Sequence, residues 1–178
     1  ASPVPGSGTT ETFFQNVGEV EAYGVEASGV WKPRVLGDRV AFNGNLSWNR
    51  AEFKDDFSTF AIAGNRVPDS PQWLSQAGIT WEAGRWGVLN LSGRYVGERY
   101  SNYTNTEKVG GYAVWNAYLD LGGEAFGQGL LRNARLRINV DNLFDRDYLG
   151  TINPVVSGPA TYRPGPDRTW QVTLSVDL

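Results

Sequence analysis

The stretch "RLRINVDNLFDRDYLG", Arg135 to Gly150, decides the fold. Its first half alternates strictly. Leu136, Ile138 and Val140 fall on one face of an extended chain, and Arg135, Arg137, Asn139 and Asp141 fall on the other. Period-two patterning of this kind marks a strand whose two faces meet unlike surroundings. The alternation then stops at "NLFDRDY", where Asn, Asp and an aromatic replace the strand pattern with turn chemistry. A strand with one aliphatic face and one face of arginines and an aspartate needs apolar surroundings outside and polar surroundings inside.

The same pattern recurs along the chain, bounded by Gly, Pro, Asn and Asp clusters, and helix signals are nearly absent. About seven strands are predicted, at 20–32, 39–53, 73–83, 88–99, 112–122, from 135 through the quoted stretch, and 169–178. The second sets Phe42, Leu46 and Trp48 against Asn43, Asn45, Ser47 and Asn49. The last sets Trp170, Val172, Leu174 and Val176 against Gln171, Thr173, Ser175 and Asp177. Charge is missing from the middle of every apolar face. Arg50 and Arg99 fall there only at strand ends, where a long side chain can snorkel.

Strand length and loop length narrow the class. The predicted strands run to about 10–13 residues against a usual mode of about 5–6. About 11 residues at roughly 3.3 Å each, tilted by about 45°, rise about 25 Å, the height of the apolar band of a membrane barrel. The connections alternate between short ("PRVLGD", "GRWG") and long (54–72, 100–111, 145–168), with a middling one at 123–133. That is the pattern of short periplasmic turns and long extracellular loops. Aromatics sort by end as well. Trp31, Phe42, Trp81 and Trp86 lie toward the short turns; Phe53, Trp73, Tyr95, Tyr100 and Trp115 lie toward the long loops, as in two interfacial girdles.

Composition removes several chemistries. The 178 residues include no Cys and no His, which excludes disulfides, thiol catalysis, imidazole bases and thiolate or imidazole metal sites. A net charge of -3 argues against a nucleic-acid partner. No run of about 18 apolar residues is present, so no spanning helix is expected. The start, "ASPVPGSGTTET", lacks the basic and apolar regions of a leader, so the chain is expected to be either cytosolic or a mature or truncated piece of something larger, and the absence of Met at position 1 points to processing or excision.

Several motifs, in order, resemble the C-terminal part of the TonB-dependent outer-membrane receptors. They are "NVGEVEAYGVE" at 16–26, "GNRVPDSPQW" at 64–73, "GRYVGERY" at 93–100, "GYAVWNAYLDL" at 111–121, "NVDNLFDRDY" at 139–148 and "YRPGPDRTWQVTLSVDL" at 162–178. Two departures stand out: Asn116 where the family usually has Asp, and Leu178 where such barrels commonly end in Phe. The resemblance implies an all-β antiparallel transmembrane β-barrel, of which this chain is a C-terminal fragment of about seven strands. Residues 1–19 are a loop leading into the barrel and 20–178 are barrel wall, with the plug domain and earlier strands of the family's roughly 22-stranded barrel lying elsewhere. Seven strands are too few to close a membrane barrel.

The resemblance also implies function: an outer-membrane, non-enzymatic receptor and transporter for a small molecule such as a ferric siderophore. Its further partners would be outer-membrane lipid and, through an N-terminal region outside this chain, TonB. No cofactor and no resident metal are expected; Asp55 and Asp56 read as solvated loop charges. The expected ligand contacts are Tyr103, Asn105, Tyr162, Arg163 and Arg168 in the long loops, with Arg94 and Glu98 on the wall below. Arginine and tyrosine suit an anionic, aromatic-rich chelate through charge-assisted bonds and stacking. The bland reading of each is a solvated loop residue, with Arg168 bracing the loop base. A different class is also open: a soluble seven-stranded β-sandwich that binds carbohydrate on Trp and Tyr platforms. A complete eight-stranded barrel using 9–17 as a first strand would need a longer, better alternating segment there.

Overall fold

The computed structural model describes residues 2–3, 10–11, 18–126 and 133–176. Its body is one seven-stranded antiparallel sheet with strictly sequential neighbours. The strands are β1 (Val20–Trp31), β2 (Val40–Phe53), β3 (Trp73–Glu82), β4 (Gly87–Val96), β5 (Tyr112–Leu121), β6 (Ala134–Asp141) and β7 (Thr169–Val176). Every strand predicted from alternation is present. The expected extension of β7 through Asp177 and Leu178, and the start of the motif at Asn16, lie outside the described residues. So does part of the middling turn. Within the leading segment, Ser2–Pro3 pairs with Thr10–Glu11 in a minimal ladder.

The short turns are set by local chemistry. Pro33 opens a 3-10 turn over Arg34–Leu36; Gly37 (φ 65°) and Asp38 (φ 56°) reverse the chain into β2. Between β3 and β4, Gly84–Trp86 forms a second such turn. It ends at Gly87, where φ is 143° and a β-carbon would collide with the carbonyl oxygen of Asp120 on β5. Only glycine lets β4 and β5 approach there.

Register fixes the tilt of the sheet. One row of paired residues runs Trp31, Phe42, Ile79, Leu91, Ala117, Val140, Trp170, and every member lies on the apolar face. Trp31 is the last residue of β1, at a short turn, whereas Trp170 is the second residue of β7, just below a long loop. A row perpendicular to the strands therefore climbs from one end of the wall to the other. Across a 7-stranded sheet, neighbour spacings of roughly 4.8 Å and a strand tilt of about 45° give a rise of roughly 20 Å, close to the ~25 Å band of a membrane barrel. The upper girdle then includes Tyr23, Trp48 and Trp170 beside Trp73, Tyr95 and Trp115. Tyr23 meets Trp48 edge-on at 5.9 Å, and at the opposite end Trp31 stacks on Phe42 at 5.5 Å.

No second sheet covers the apolar face among the described residues: Val25, Trp31, Trp170, Val172 and Leu174 are all exposed there. A soluble sandwich would bury that face, so the sandwich reading fails on this point. The other face is polar and internally bonded. Gln76 N–H donates to Asn45 Oδ1 (3.0 Å), Asn90 Nδ2 donates to Thr80 Oγ1 (2.8 Å), and Arg137 pairs with Asp120 directly across β6 and β5. The charges in the opening stretch thus lie on the polar, internally bonded face of the sheet. β1 and β7 are the two edges, and the described strands do not close on each other.

β4 stops earlier than the alternation predicted. It ends at Val96, and Arg99 leaves the wall to begin a short ladder of Arg99–Tyr100 with Lys108–Val109. Arg99 is therefore not a snorkelling residue at a strand end; it is 3% exposed inside the loop layer.

Candidate functional site

The long loops gather at one end of the wall and knit into a single cap. Each is first ordered by its own short-range bonds. In 54–72, Asp56 Oδ1 accepts the N–H groups of Ile62 and Ala63, both at 2.9 Å, and Ile62 is fully buried. In 97–111, Asn102 Oδ1 accepts Thr106 N–H (3.0 Å) while Asn102 Nδ2 donates to Thr106 Oγ1 (2.8 Å). In 142–168, Leu149–Asn153 pairs with Thr161–Pro164.

Arg99 ties the three together. Its Nη1 donates to Asp69 Oδ1 (2.7 Å) and to the Gly150 carbonyl (3.0 Å); its Nη2 donates to the Leu149 carbonyl (2.6 Å). The guanidinium also lies 5.6 Å from the Tyr112 ring centre. Asp69 is held in turn, its N–H donating to the Tyr100 carbonyl at 3.0 Å. A planar fork of donors suits this task, because one group must satisfy acceptors from two other loops at once. Around it, Asn105 brackets the Arg66 backbone, accepting its N–H (2.8 Å) and donating to its carbonyl (2.9 Å). Asn102 Nδ2 reaches the Gly158 carbonyl at 3.3 Å, and Tyr103 N–H donates to the Val155 carbonyl at 3.0 Å. Val109, Ile152 and Ala160 form a small apolar core beneath.

The "NLFDRDY" turn is the cap's hinge with the wall. Asn142 (φ 51°) accepts Arg146 N–H on Oδ1 (2.8 Å) and donates Nδ2 to the carbonyls of Arg146 and Pro166, both at 3.0 Å. Its own N–H donates to Asn116 Oδ1 at 2.9 Å, so Asn116 keeps the acceptor that the family's usual Asp would supply. Asp145 (φ 54°) turns the chain and accepts Arg168 N–H at 2.9 Å. Phe144 is exposed, while Tyr148 folds inward onto Tyr112, with ring centres 4.4 Å apart. Burial of the Tyr148 hydroxyl pushes its pKa above the usual tyrosine value.

The residues expected to meet ligand are placed as follows. Arg94 lies exposed on the polar face of the sheet, at an open hollow of about 540 Å³ lined also by Asn43, Gln76, Asn116, Asp141 and Tyr148. Glu98 accepts from Lys108 Nζ at 2.9 Å and stands 4.0 Å from Arg66; the lysine ammonium holds its carboxyl below the usual carboxylate range. Tyr103 packs on Phe53, with centroids 5.4 Å apart. Tyr162 hydrogen-bonds the Glu107 carboxylate, which also accepts Ser101 Oγ–H at 2.6 Å. Those two hydroxyls, Ser101 the stronger, hold Glu107 below the usual range. Arg163 is exposed on the hairpin. Arg168 braces the loop base through Asp145, side chain to side chain at 3.5 Å. Asp55 Oδ2 accepts the Glu19 N–H at 3.1 Å. Asp69, Asn102 and Asn142 carry no site expectation from sequence, and Arg99 reads there only as a strand end. Only Asn142, inside a turn rich in Asn and Asp, carried a local signal.

A tilted antiparallel sheet with one apolar face, one polar face and a bonded loop cap at one end is the architecture of transmembrane β-barrels. The model of the TonB dependent receptor-like β-barrel family matches residues 1–143, and the chain belongs to that family. Its members are outer-membrane receptors and transporters rather than enzymes. The chain is 26% identical to the ferrioxamine receptor of Yersinia enterocolitica over 94% of its own length and 22% of the receptor's. It is 32% identical to the pesticin receptor of the same species, covering 76% of this chain and 19% of that one. Among solved structures, the ferric yersiniabactin uptake receptor of Yersinia pestis superposes with a TM-score of 0.69 at 27% identity, covering 92% of this chain and 24% of the receptor. The chain thus spans about a fifth of the length of the curated relatives it matches.

Proposed function

We propose that this chain is part of the barrel wall and loop cap of a receptor that imports a ferric siderophore across the outer membrane, driven by TonB acting on a region outside these residues. The observation that carries the reading is the cap: three loops bonded through Arg99 stand directly above a polar wall. Such an arrangement can hold a solute at the mouth of a lumen. The names of two relatives, the ferrioxamine receptor and the ferric yersiniabactin uptake receptor, support an iron chelate as the solute.

Arg163 on the hairpin and Arg94 on the wall are the exposed cations we propose as ligand contacts, since a ferric chelate with anionic donors favours guanidinium. Glu98 and Tyr162 would complete the contact surface. Tyr103, Asn105 and Arg168 would act through the loop shapes they hold. The test is uptake of radiolabelled iron by cells lacking the full-length receptor and complemented with wild type or the R163A and R94A variants. Hydroxamate, catecholate and carboxylate siderophores would be supplied separately. Loss of uptake of one class on deletion, weakened by the variants, is expected. Unchanged uptake of all classes on deletion would overturn the proposal.

A further inference from the structure

The outer face carries a groove that neither import nor the cap uses. It lies near the short turns and has a volume of about 340 Å³, lined by Arg39, Trp81, Trp86, Leu89, Leu119 and Leu121. Its origin is local. The 3-10 turn Gly84–Trp86 carries an exposed Trp86, and Gly87 places no side chain between that indole and β5. Trp81, also exposed, forms part of the lining from β3. The groove is continuous with the lipid-facing apolar surface, so its floor meets hydrocarbon.

Charge says what occupies it. Arg39 is exposed and forms no ion pair among the described residues, although Glu82 is its neighbour across the strand pair. The turn between β1 and β2 carries Lys32, Arg34 and Arg39 against Asp38. Exposed Val35 and Leu36 lie between Arg34 and Arg39 in the same turn. Apolar and aromatic side chains interleaved with excess cations at a membrane interface match an anionic head group with its acyl chain beneath.

We propose that this groove is a binding site for one anionic glycerophospholipid of the periplasmic leaflet, phosphatidylglycerol in chemistry. The acyl chain lies between Trp81 and Trp86, and the phosphodiester is held by Arg39. A zwitterionic phosphatidylethanolamine carries its own ammonium and gains less from the basic edge. The proposal rests on the outer-membrane placement of the wall and not on the identity of the imported solute.

The test uses the purified full-length receptor in detergent, titrated separately with phosphatidylglycerol and phosphatidylethanolamine and read by native mass spectrometry. Wild type is expected to retain one phosphatidylglycerol in preference to phosphatidylethanolamine. R39Q should weaken retention about fivefold, the worth of one interfacial arginine. W86A should weaken it further, and R34Q, on the same basic edge but outside the groove, should weaken it less than R39Q does. Heat-modifiable mobility on gels checks that each variant barrel is folded, and R39K serves where R39Q is not. Equal retention of both lipids, no effect of R39Q, or equal loss in R34Q would overturn the site, as would a second copy of the receptor bound in place of lipid. A receptor found in the aqueous fraction would instead overturn the membrane placement itself.

Discussion

The ring of Tyr148 occupies the space that a β-carbon on Gly165 would need, and Gly165 N–H donates to the Tyr148 carbonyl at 2.8 Å. The two residues stand at the two ends of the longest loop. Their contact locks the turn that leaves β6 against the segment that enters β7. Tyr148 also packs at a tilt on Tyr112 and touches Val96 and Val114, so the loop base is anchored to the polar face of the sheet.

Gly165→Ala should therefore displace Tyr148 and loosen the loop base by about 1–3 kcal/mol, an overpacking cost. Tyr148→Ala removes the obstruction, so the double variant should be less damaged than the sum of the two singles. Limited proteolysis of 142–168 in the full-length receptor measures both. Strict additivity would show that the ring and the glycine do not compete for one space.

Arg99→Ala should uncouple the cap. Removing one partner of a buried, hydrogen-bonded pair costs about 3–5 kcal/mol; because Asp69 is partly exposed, with 30% of its side chain accessible, about 2–4 kcal/mol is expected here. Hydrogen exchange should accelerate together in 62–70, 99–109 and 149–164, while exchange in β2 to β5 stays slow. Acceleration confined to 99–109 would mean that Arg99 does not join the loops.

Acid should loosen the same cap. Glu107 is held below the usual carboxylate range by the Ser101 and Tyr162 hydroxyls, and Glu98 by Lys108. A carboxyl whose folded pKa is depressed adds stability above its unfolded value, near 4.3, and loses it as pH falls through the lower folded value. Exchange in 99–109 and 160–164 should therefore quicken as pH is lowered below about 4. Glu107→Gln should flatten that dependence while leaving the wall unaffected.

A charge on the outer face should be costly and one on the inner face cheap. Leu91→Arg, at the middle of the apolar band, should destabilise the folded barrel in a bilayer by about 2–4 kcal/mol. Asn90→Arg, one residue away on the lumen side, should cost far less. Folding titrations of the full-length receptor into lipid vesicles compare the two.

The wall was legible in sequence and the cap largely was not. Strands such as β2 and β6 announce themselves because alternation is local: Phe42, Leu46 and Trp48 need no knowledge of distant residues to define a face. Arg99 fell on an apolar parity and read as a strand end; its partners, Asp69 and the Leu149 and Gly150 carbonyls, lie 30 to 51 positions away. Nothing local marks such pairings. Asn105 was singled out for a ligand, yet its amide brackets Arg66, 39 residues distant. Trp170 was placed on the apolar face but its part in the upper girdle emerges only from the slanted register.

The most direct test of the central claim, a wall with lipid outside and water inside, is site-by-site accessibility across β6. This stretch contains no cysteine, so a spin label can be placed singly at positions 136 to 140 of the full-length receptor in lipid. Labels at Leu136, Ile138 and Val140 should collide with oxygen dissolved in the bilayer, and labels at Arg137 and Asn139 with a water-soluble nickel chelate. Alternation of period two in the two signals, out of phase, is the predicted result. Equal exposure of all five positions to the water-soluble reagent would contradict it.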